Sequence, residues 1–287
     1  MIVVGVDGSP AGLAAAGWAA REAGVRGTSL RVVHVMPAWP LETPEDGRYA
    51  SVAKWMRDGA TSMVTDALER ARRENPRVEA ESRLLPGDPR SALIEAAGDA
   101  ELLVVGSHGL GGFRGMLLGS VALGVSGQAR CPVVVVRDVP ERPDGEVVVG
   151  VDGSPAGADA LAFAFAEASL RGTGLRAIHA WERPGVGGPL PPPPVGETAE
   201  EERRVLAEAL AGWGERYPDV KVVEQSEEGH PVDALRDAST RAGLLVVGSR
   251  GRGGLAGLVL GSVSHSMLHH AACPLVVVPP AGEAGRS

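Results

Sequence analysis

Uninterrupted apolar runs recur along the chain and predict buried β-strands. Val133–Val136 is one such run, and its lack of polar alternation is typical of a parallel-sheet strand that is covered on both faces. Comparable runs predict five strands in each half of the chain. They span Ile2–Asp7, Leu30–Met36, Val78–Leu85, Leu102–Gly106 and Val133–Arg137, and then Val147–Asp152, Leu175–Trp181, Val220–Ser226, Leu244–Gly248 and Leu275–Val278.

Stretches with helix-start signals lie between these strands. Ser9-Pro10 and Ser154-Pro155 each place a capping hydroxyl before a proline, which suits the first turn of a helix. Asp88-Pro89 predicts another helix start, and Thr198 is predicted to begin a long amphipathic helix. Strands that alternate with helices require right-handed crossovers and a parallel sheet. Each half is therefore predicted to be a doubly wound α/β sandwich of five strands.

The two halves of the chain share an internal sequence repeat. Residues 3–10 read VVGVDGSP, and residues 148–155 repeat these letters without a change. Gly106-Ser107 returns as Gly248-Ser249, and Gly119-Ser120-Val121 returns as Gly261-Ser262-Val263. Because each copy is long enough to enclose its own core, we predict two domains, residues 1–140 and 145–287. The boundary is expected in the polar, proline-containing stretch 139–145.

Composition and charge exclude several classes of protein. The chain has 287 residues and a net charge of -8, which argues against non-specific nucleic-acid binding because that requires a basic face. No apolar stretch approaches the roughly 20 residues of a membrane span, and the start of the chain shows no signal-peptide pattern. Two cysteines cannot form a disulfide framework. We therefore expect a cytoplasmic protein without membrane or nucleic-acid partners.

Glycine-rich turns follow the fourth strand of each half. The first runs Gly106-Ser107-His108-Gly109, then nine residues, then Gly119-Ser120, and the second half repeats this spacing from Gly248 to Ser262. Glycine lets backbone amides approach a ligand closely, and a helix that starts at the second glycine adds its unpaired N–H groups and positive dipole end. The pattern predicts an anion cradle, and the expected anion is a phosphate.

Lysine usage limits the kind of phosphate site. Lys54 and Lys221 are the chain's two lysines, and neither lies in a glycine-rich turn. The Gly-Lys-Ser/Thr signature of a P-loop nucleoside triphosphatase is missing, so that class is disfavoured.

Asp7 and Asp152 end the first strand of each half, at the carboxyl edge where open α/β sheets bind ligands. A carboxylate there can accept from a ribose hydroxyl or help to place Mg²⁺, or it can cap the following turn. The repetition of the aspartate beside both glycine-rich turns favours ligand contact.

Other candidate residues have mainly structural interpretations. His34 and His179 lie within apolar strands and are expected to be satisfied structural histidines. Cys131 and Cys273 are expected to be buried and inert. The three histidines near the last helix lack cysteine or carboxylate partners at zinc-site spacing and predict a solvated helix end; they are His265, His269 and His270.

Two features of the segments after the second strands stay open. Trp39 and Trp181 are placed either to cover an adenine or to pack loops. Pro191–Pro194 favours an extended stretch, as a solvated spacer or as a strip that docks a partner.

These paired motifs resemble the universal stress protein family, and the resemblance to its tandem, two-domain, ATP-binding members covers nearly the whole chain. It implies the adenine-nucleotide alpha-hydrolase-like fold with strand order 3-2-1-4-5, and ATP, with Mg²⁺, as the cofactor. It also implies that the last strands of the two halves meet across a pseudo-twofold axis, with a homodimer built on that intrachain pseudo-dimer. The site residues that it implies are Asp7, Val35, Gly106, Gly109, Gly119, Ser120 and Val121, with Asp152, Ala180, Gly248, Gly251, Gly261, Ser262 and Val263.

The two halves differ within these motifs. Arg250 replaces His108, and Ser264 stands where the first half has Ala122, a position at which the family pattern prefers a hydroxyl facing the phosphates. We therefore expect the second half to bind ATP at least as tightly as the first.

The resemblance implies a nucleotide-dependent sensor or regulator of a stress response, with an unknown protein partner. A slow ATPase or phosphotransferase is one alternative, although no general base, lysine or arginine finger can be assigned. A binding scaffold with vestigial loops is the other. The composition, rich in Arg, Ala, Gly and Pro, indicates a GC-rich bacterial genome, and an actinobacterial source is expected.

Overall fold

The computed structural model describes residues 1–109, 118–137, 145–182, 195–251 and 260–280. The chain divides into two compact units, Met1–Asp138 and Val139–Ser287. Most of the predicted linker and all of Pro191–Pro194 lie outside the described residues.

The first unit is a parallel sheet of order β3-β2-β1-β4-β5 with helices between successive strands. The spatial order of the strands differs from their order in the sequence. After β3 the chain returns to the middle of the sheet, where β4 is hydrogen-bonded to β1 on the side opposite β2. The elements are β1 Ile2–Gly5, α1 Pro10–Arg26, β2 Leu30–Met36, α2 Ala38–Glu42, α3 Ala50–Glu74, β3 Ala80–Pro86, α4 Pro89–Ala96, β4 Leu102–Gly106, α5 Ser120–Gln128 and β5 Val133–Val136.

The second unit repeats this architecture with strand order β8-β7-β6-β9-β10. One addition is a short 3₁₀ turn, Pro155–Gly157, before its first α-helix. The elements are β6 Val147–Gly150, α6 Ala158–Arg171, β7 Leu175–Trp181, α7 Val195–Leu210, α8 Trp213–Arg216, β8 Val222–Glu228, α9 Pro231–Ser239, β9 Leu244–Gly248, α10 Ser262–His270 and β10 Leu275–Val278. The predicted fold class, two tandem five-stranded α/β sandwiches, is confirmed.

Small apolar side chains hold each sheet against its helices. The four valines of β5 are all buried, as are Leu102 and Leu103 of β4. Helix α1 presents buried alanines, including Ala15 and Ala19, so its backbone lies close to the sheet. Dispersion and removal of apolar surface from water stabilise this arrangement.

Two of the predicted helix starts, at Ser9 and at Asp88, are confirmed by their caps. Ser9 Oγ accepts a hydrogen bond of 3.1 Å from the amide of Gly12, and α1 starts at Pro10. Asp88 caps α4 by accepting from Arg90 N and Ser91 N at 3.0 and 3.2 Å. Both α1 and α4 therefore begin at the carboxyl edge of the first sheet.

Some predicted boundaries were wrong, and local hydrogen bonds explain two of them. The third strand was predicted from Val78, but the Val78 amide donates to Asn75 O at 3.1 Å and closes a turn. Val220 N donates to Tyr217 O at the same distance, so β8 starts at Val222. The helix expected from Thr198 already begins at Val195. Across the described residues, no helix is both long enough and apolar enough to cross a membrane.

Candidate functional site

Each unit contains a cavity at the carboxyl edge of its sheet, beside the point where the strand order reverses. The first has a volume of about 540 Å³ and the second about 440 Å³. Cavities of several hundred Å³ at such a switch point are typical small-molecule sites in doubly wound folds. The two units thus present the same candidate site twice.

All residues predicted for the site line these two cavities. The strand ends, the second-strand positions and the glycine-rich turns converge there, although they are far apart in sequence. The first cavity contains Asp7, Val35, Gly106, Gly109, Gly119, Ser120 and Val121, and the second contains Asp152, Ala180, Gly248, Gly251, Gly261, Ser262 and Val263.

The second glycine of each turn closes the loop and begins a helix. Gly119 N donates to Ser107 O at 2.7 Å, and Gly261 N donates to Ser249 O at 2.8 Å. Neither glycine supplies a side-chain cap, in contrast to Ser9 at the start of α1. The first amides inside a helix have no intrahelical acceptor, so those of Ser120 and its neighbours are available as donors. The helix dipole adds positive potential at this wall.

The aspartates at the strand ends serve the turn that follows them. Asp7 Oδ1 accepts from Ser9 N at 3.1 Å and from Ser9 Oγ at 2.6 Å, and Asp152 makes the same pair of contacts with Ser154 at 2.9 and 2.8 Å. The turn-capping interpretation is therefore correct for one carboxylate oxygen of each residue.

The other aspartate oxygen lies beside the glycine-rich turn. A Cβ built on Gly109 would stand 2.3 Å from Asp7 Oδ2, and one built on Gly251 would stand 2.5 Å from Asp152 Oδ2. Only glycine fits this approach of the turn to the carboxylate. The carboxylate and the anion cradle therefore share one wall of each cavity.

With this geometry established, comparisons with known proteins identify the family. A sequence model described as "Universal stress protein family" matches residues 1–137 and again residues 145–279. The chain belongs to the universal stress protein family.

Relatives of similar length support this assignment. A universal stress protein of Mycobacterium tuberculosis is 40% identical, with 96% of each chain covered, and one of Mycolicibacterium smegmatis is 38% identical, with 97% of each covered. A crystal structure of a universal stress protein from Archaeoglobus fulgidus matches 97% of each chain with a TM-score of 0.70 at 24% identity, which supports the fold. The predicted relationship to tandem, actinobacterial members is confirmed.

Within this universal stress protein chain, the two glycine-rich turns differ in charge and in hydroxyl groups. His108 lines the first cavity, with its ring Nδ1 3.0 Å from Ser107 Oγ, and Arg250 lines the second. Ser264 Oγ lies 2.9 Å from Gly261 O and 3.1 Å from Ser249 O. Its single proton is therefore shared with the carbonyls of the turn, and the hydroxyl tightens the loop.

The histidines of the second strands are hydrogen-bonded, as expected. The ring Nδ1 of His34 lies 2.8 Å from Val6 O, and that of His179 lies 2.8 Å from Val151 O. Because a carbonyl can only accept, each Nδ1 carries a proton. His179 Nε2 also lies 2.7 Å from Glu202 Oε2 of α7, a partner that the sequence did not reveal. Both histidines additionally line the cavities.

Apolar walls complete each site and were missed from the sequence. Met63 of α3 and Leu93 of α4 line the first cavity, and Leu235 of α9 lines the second. The signal for Leu93 was present, because the Asp88-Pro89 helix start follows the third strand and so lies at the same sheet edge. Trp39 and Trp181 line neither cavity; Trp181 is buried and Trp39 lies half exposed on α2.

The cysteines are buried thiols, and the histidines of α10 lie close to one another near its end. Burial raises the pKa of the Cys131 thiol to about 11 and that of Cys273 to about 12, so both remain neutral thiols near neutral pH. The rings of His265 and His269 lie 5.2 Å apart on α10. No group of three or more metal-ligating side chains occurs in the part of the chain that the structure describes.

Proposed function

We propose that both cavities bind ATP and that the protein is a nucleotide-dependent regulator of a stress response in the cytoplasm. The observation that carries this proposal is the convergence of a glycine-rich turn, a helix start without a side-chain cap and a strand-end carboxylate on one cavity, in both units. Family membership supports it.

The triphosphate would lie against the glycine-rich turn and the first turn of α5 or α10. Backbone amides there replace the lysine of a P-loop, and each charge-assisted hydrogen bond contributes about 1.5–3 kcal/mol. Several such donors give an affinity in the micromolar range or tighter, after the cost of immobilising the ligand.

The adenosine would occupy the apolar side of each cavity. Val33, Leu93 and Met63 offer a surface for the base in the first unit, and the Val35 backbone lies at the same edge. Asp7 would accept a hydrogen bond from a ribose hydroxyl.

Mg²⁺ would bind at this site only when it is also coordinated by the phosphates of the nucleotide. Each cavity contains one predicted carboxylate, Asp7 or Asp152, and Mg²⁺ bound to nucleotides typically keeps several waters and takes few protein ligands.

The second cavity is proposed to bind ATP more tightly. Arg250 brings a guanidinium group to the second cavity, whereas His108 occupies that position in the first turn. Exchanging these two residues tests the ranking by calorimetry. His108→Arg should strengthen the first site, and Arg250→His should weaken the second. Unchanged affinities in both variants would show that these side chains do not reach the ligand.

Regulation follows if the nucleotide orders the glycine-rich turns. Ligand contacts made only in the ordered form would shift the population toward it and change the surface offered to a protein partner.

ATP titration by calorimetry, with native mass spectrometry of freshly purified protein, tests the proposal. Bound adenine nucleotide in both measurements is expected. Its absence in both would favour a scaffold with vestigial loops. Phosphate release at about one turnover per second, within the ordinary range for enzymes, would favour an ATPase or phosphotransferase instead.

A further inference from the structure

We propose that His34 makes the first cavity selective for ribonucleotides, by accepting a hydrogen bond from the 2′-hydroxyl of the bound nucleotide, and that the second cavity lacks this selectivity. The inference rests on the ATP binding proposed above and adds a difference in specificity between the two sites. Both units place a histidine at the fifth residue of their second strand, His34 in β2 and His179 in β7, but they surround it differently.

The second ring nitrogen of His34 is a hydrogen-bond acceptor that faces no group of the chain. Nδ1 lies 2.8 Å from Val6 O and donates to it, so the neutral ring carries its lone pair on Nε2. Among the described residues Nε2 has no hydrogen-bond partner, and it is not one of the polar atoms that are sealed from solvent. His34 is partly exposed and lines the first cavity. A ligand in that cavity can therefore use this acceptor.

The same nitrogen of His179 is used within the chain. Nε2 lies 2.7 Å from Glu202 Oε2, and Nδ1 lies 2.8 Å from Val151 O. His179 is only 2% exposed, although it lines the second cavity. Both ring nitrogens thus face acceptors of the protein itself, and neither can accept a hydrogen bond from a nucleotide.

One position of the helix that covers the second strand accounts for this difference. An offset of 142 residues relates β3 to β8, and it also relates Val64 of α3 to Leu206 of α7, both of which are buried. At this offset Ala60 corresponds to Glu202. Ala60 is buried, and its methyl group cannot form a hydrogen bond. The first unit therefore has no carboxylate at the position that engages the histidine of the second unit.

The neighbours of His34 indicate which ligand group it meets. Val6, whose carbonyl holds the ring, precedes Asp7, the proposed acceptor for a ribose hydroxyl, and His34 precedes Val35, at the edge proposed for the base. The 2′-hydroxyl is the ribose hydroxyl next to the base, and it can donate to a neutral ring nitrogen. A nucleotide with its base beside Val35 and its ribose beside Asp7 would bring this hydroxyl to His34.

Calorimetric titration with ATP and with 2′-deoxyATP, one site at a time, tests the proposal. Gly251→Ala leaves the first site for measurement, and Gly109→Ala leaves the second. The quantity compared is the dissociation constant for 2′-deoxyATP divided by that for ATP. This ratio should be about three- to tenfold larger at the first site than at the second, the effect expected of one neutral hydrogen bond.

His34→Asn is the matched variant for the first site. Its amide nitrogen can still donate to Val6 O, whereas the acceptor at the position of Nε2 is lost. The ratio at the first site should fall to that of the second. His179→Asn is the control, because it keeps the donor to Val151 O and should leave the ratio at the second site unchanged.

Exchanging the helix residues should move the selectivity between the sites. Glu202→Ala should free Nε2 of His179 and raise the ratio at the second site. Ala60→Glu should engage Nε2 of His34 and lower the ratio at the first site, with circular dichroism as the check that the variant is folded.

The possible failures can be told apart. ATP binding with a first-site ratio that His34→Asn does not change would overturn the role of His34 and leave the proposed function standing. If His34→Asn instead changed the preference for ATP over inosine triphosphate, which lacks the amino group of adenine, the histidine would meet the base, and the assignment to the ribose would be wrong. Failure of both sites to bind ATP would overturn the proposed function and this inference with it.

Discussion

Gly109 matters both to the fold of the turn and to the proposed nucleotide site, because the turn approaches the carboxylate of Asp7 at this position. A methyl group added there would collide with Asp7 Oδ2 at 2.3 Å, so Gly109→Ala must displace the carboxylate or the turn. We expect ATP binding at the first site to weaken at least tenfold, equivalent to about 1.4 kcal/mol, in calorimetric titration. Gly214→Ala is the control, because a Cβ at Gly214 meets nothing within 4 Å. If the Gly109→Ala variant bound ATP at the first site with normal affinity, Asp7 would not contribute to ligand binding.

The buried thiols make a prediction about pH. Desolvation raises the pKa of Cys131 to about 11 and that of Cys273 to about 12, above the reference value of 9.0. A raised pKa means that the folded state favours the neutral thiol. The resulting contribution to stability is fully present below about pH 9 and is lost as the pH rises toward 11 to 12.

Thiol-reactive dye should therefore label neither cysteine in the native protein at pH 8, and should label both after denaturation. Chemical denaturation should also show less alkaline loss of stability in the Cys131→Ala, Cys273→Ala double variant. Rapid labelling of the native protein at pH 8 would contradict the assigned burial.

At the scale of elements, the approach of α1 to β4 distinguishes the two units. A Cβ on Gly106 would stand 2.7 to 2.9 Å from backbone atoms of Ala11 and Gly12, whereas the nearest atom to a Cβ on Gly248 is Arg250 O at 3.1 Å. The second unit begins this helix region with the 3₁₀ turn Pro155–Gly157, which gives the glycine more room.

Gly106→Ala should therefore lower the free energy of unfolding by about 1–3 kcal/mol, the usual cost of overpacking. Gly248→Ala should cost less than half of that. Urea unfolding followed by circular dichroism compares the two variants. Equal losses would mean that both helices can move away from the sheet with the same ease.

The elements show which features the sequence could predict. Continuous apolar runs identified the central strands, which are covered on both faces, whereas the partly exposed outer strands β3 and β8 show no such run and their starts were predicted two residues too early. Ser9 and Asp88 identified helix starts, since capping is a local interaction. The hydrogen bond between His179 and Glu202 could not be found, because it depends on how α7 packs against β7. Met63 was missed for the same reason: its place in the cavity is set by the packing of α3.

Within the site, the glycine spacing predicted residues that line the two cavities, but not the hydrogen bonds that each of them makes. Gly119 was expected to add donors for a phosphate, yet its amide is used to close the turn onto Ser107. The hydroxyl of Ser264 was expected to face phosphate; it lines the second cavity and contacts two loop carbonyls, so contact with phosphate stays a prediction. The spacing of the glycines predicts that a turn forms. The geometry of the turn decides which of its hydrogen-bonding groups are used within the turn itself.

For the whole molecule, the duplicated architecture predicts two nucleotides per chain. Each cavity is lined by residues of a single unit, so removing one site should leave the other intact. Calorimetry should give a stoichiometry of two for the wild type, one for Gly109→Ala or Gly251→Ala at moderate ATP, and none for the double variant.

Ligand linkage provides an independent measure of the same stoichiometry. Free ATP at about 100 times its dissociation constant should stabilise the unit that binds it by about 2.7 kcal/mol, and the double variant should gain nothing. The wild type could instead bind one nucleotide, and only one of the two single variants could lose it. This result would mean that one of the two cavities does not bind ATP despite its similar lining. Because Arg250 lies in the second cavity and His108 in the first, the charge difference between the turns predicts that the first would be the silent one.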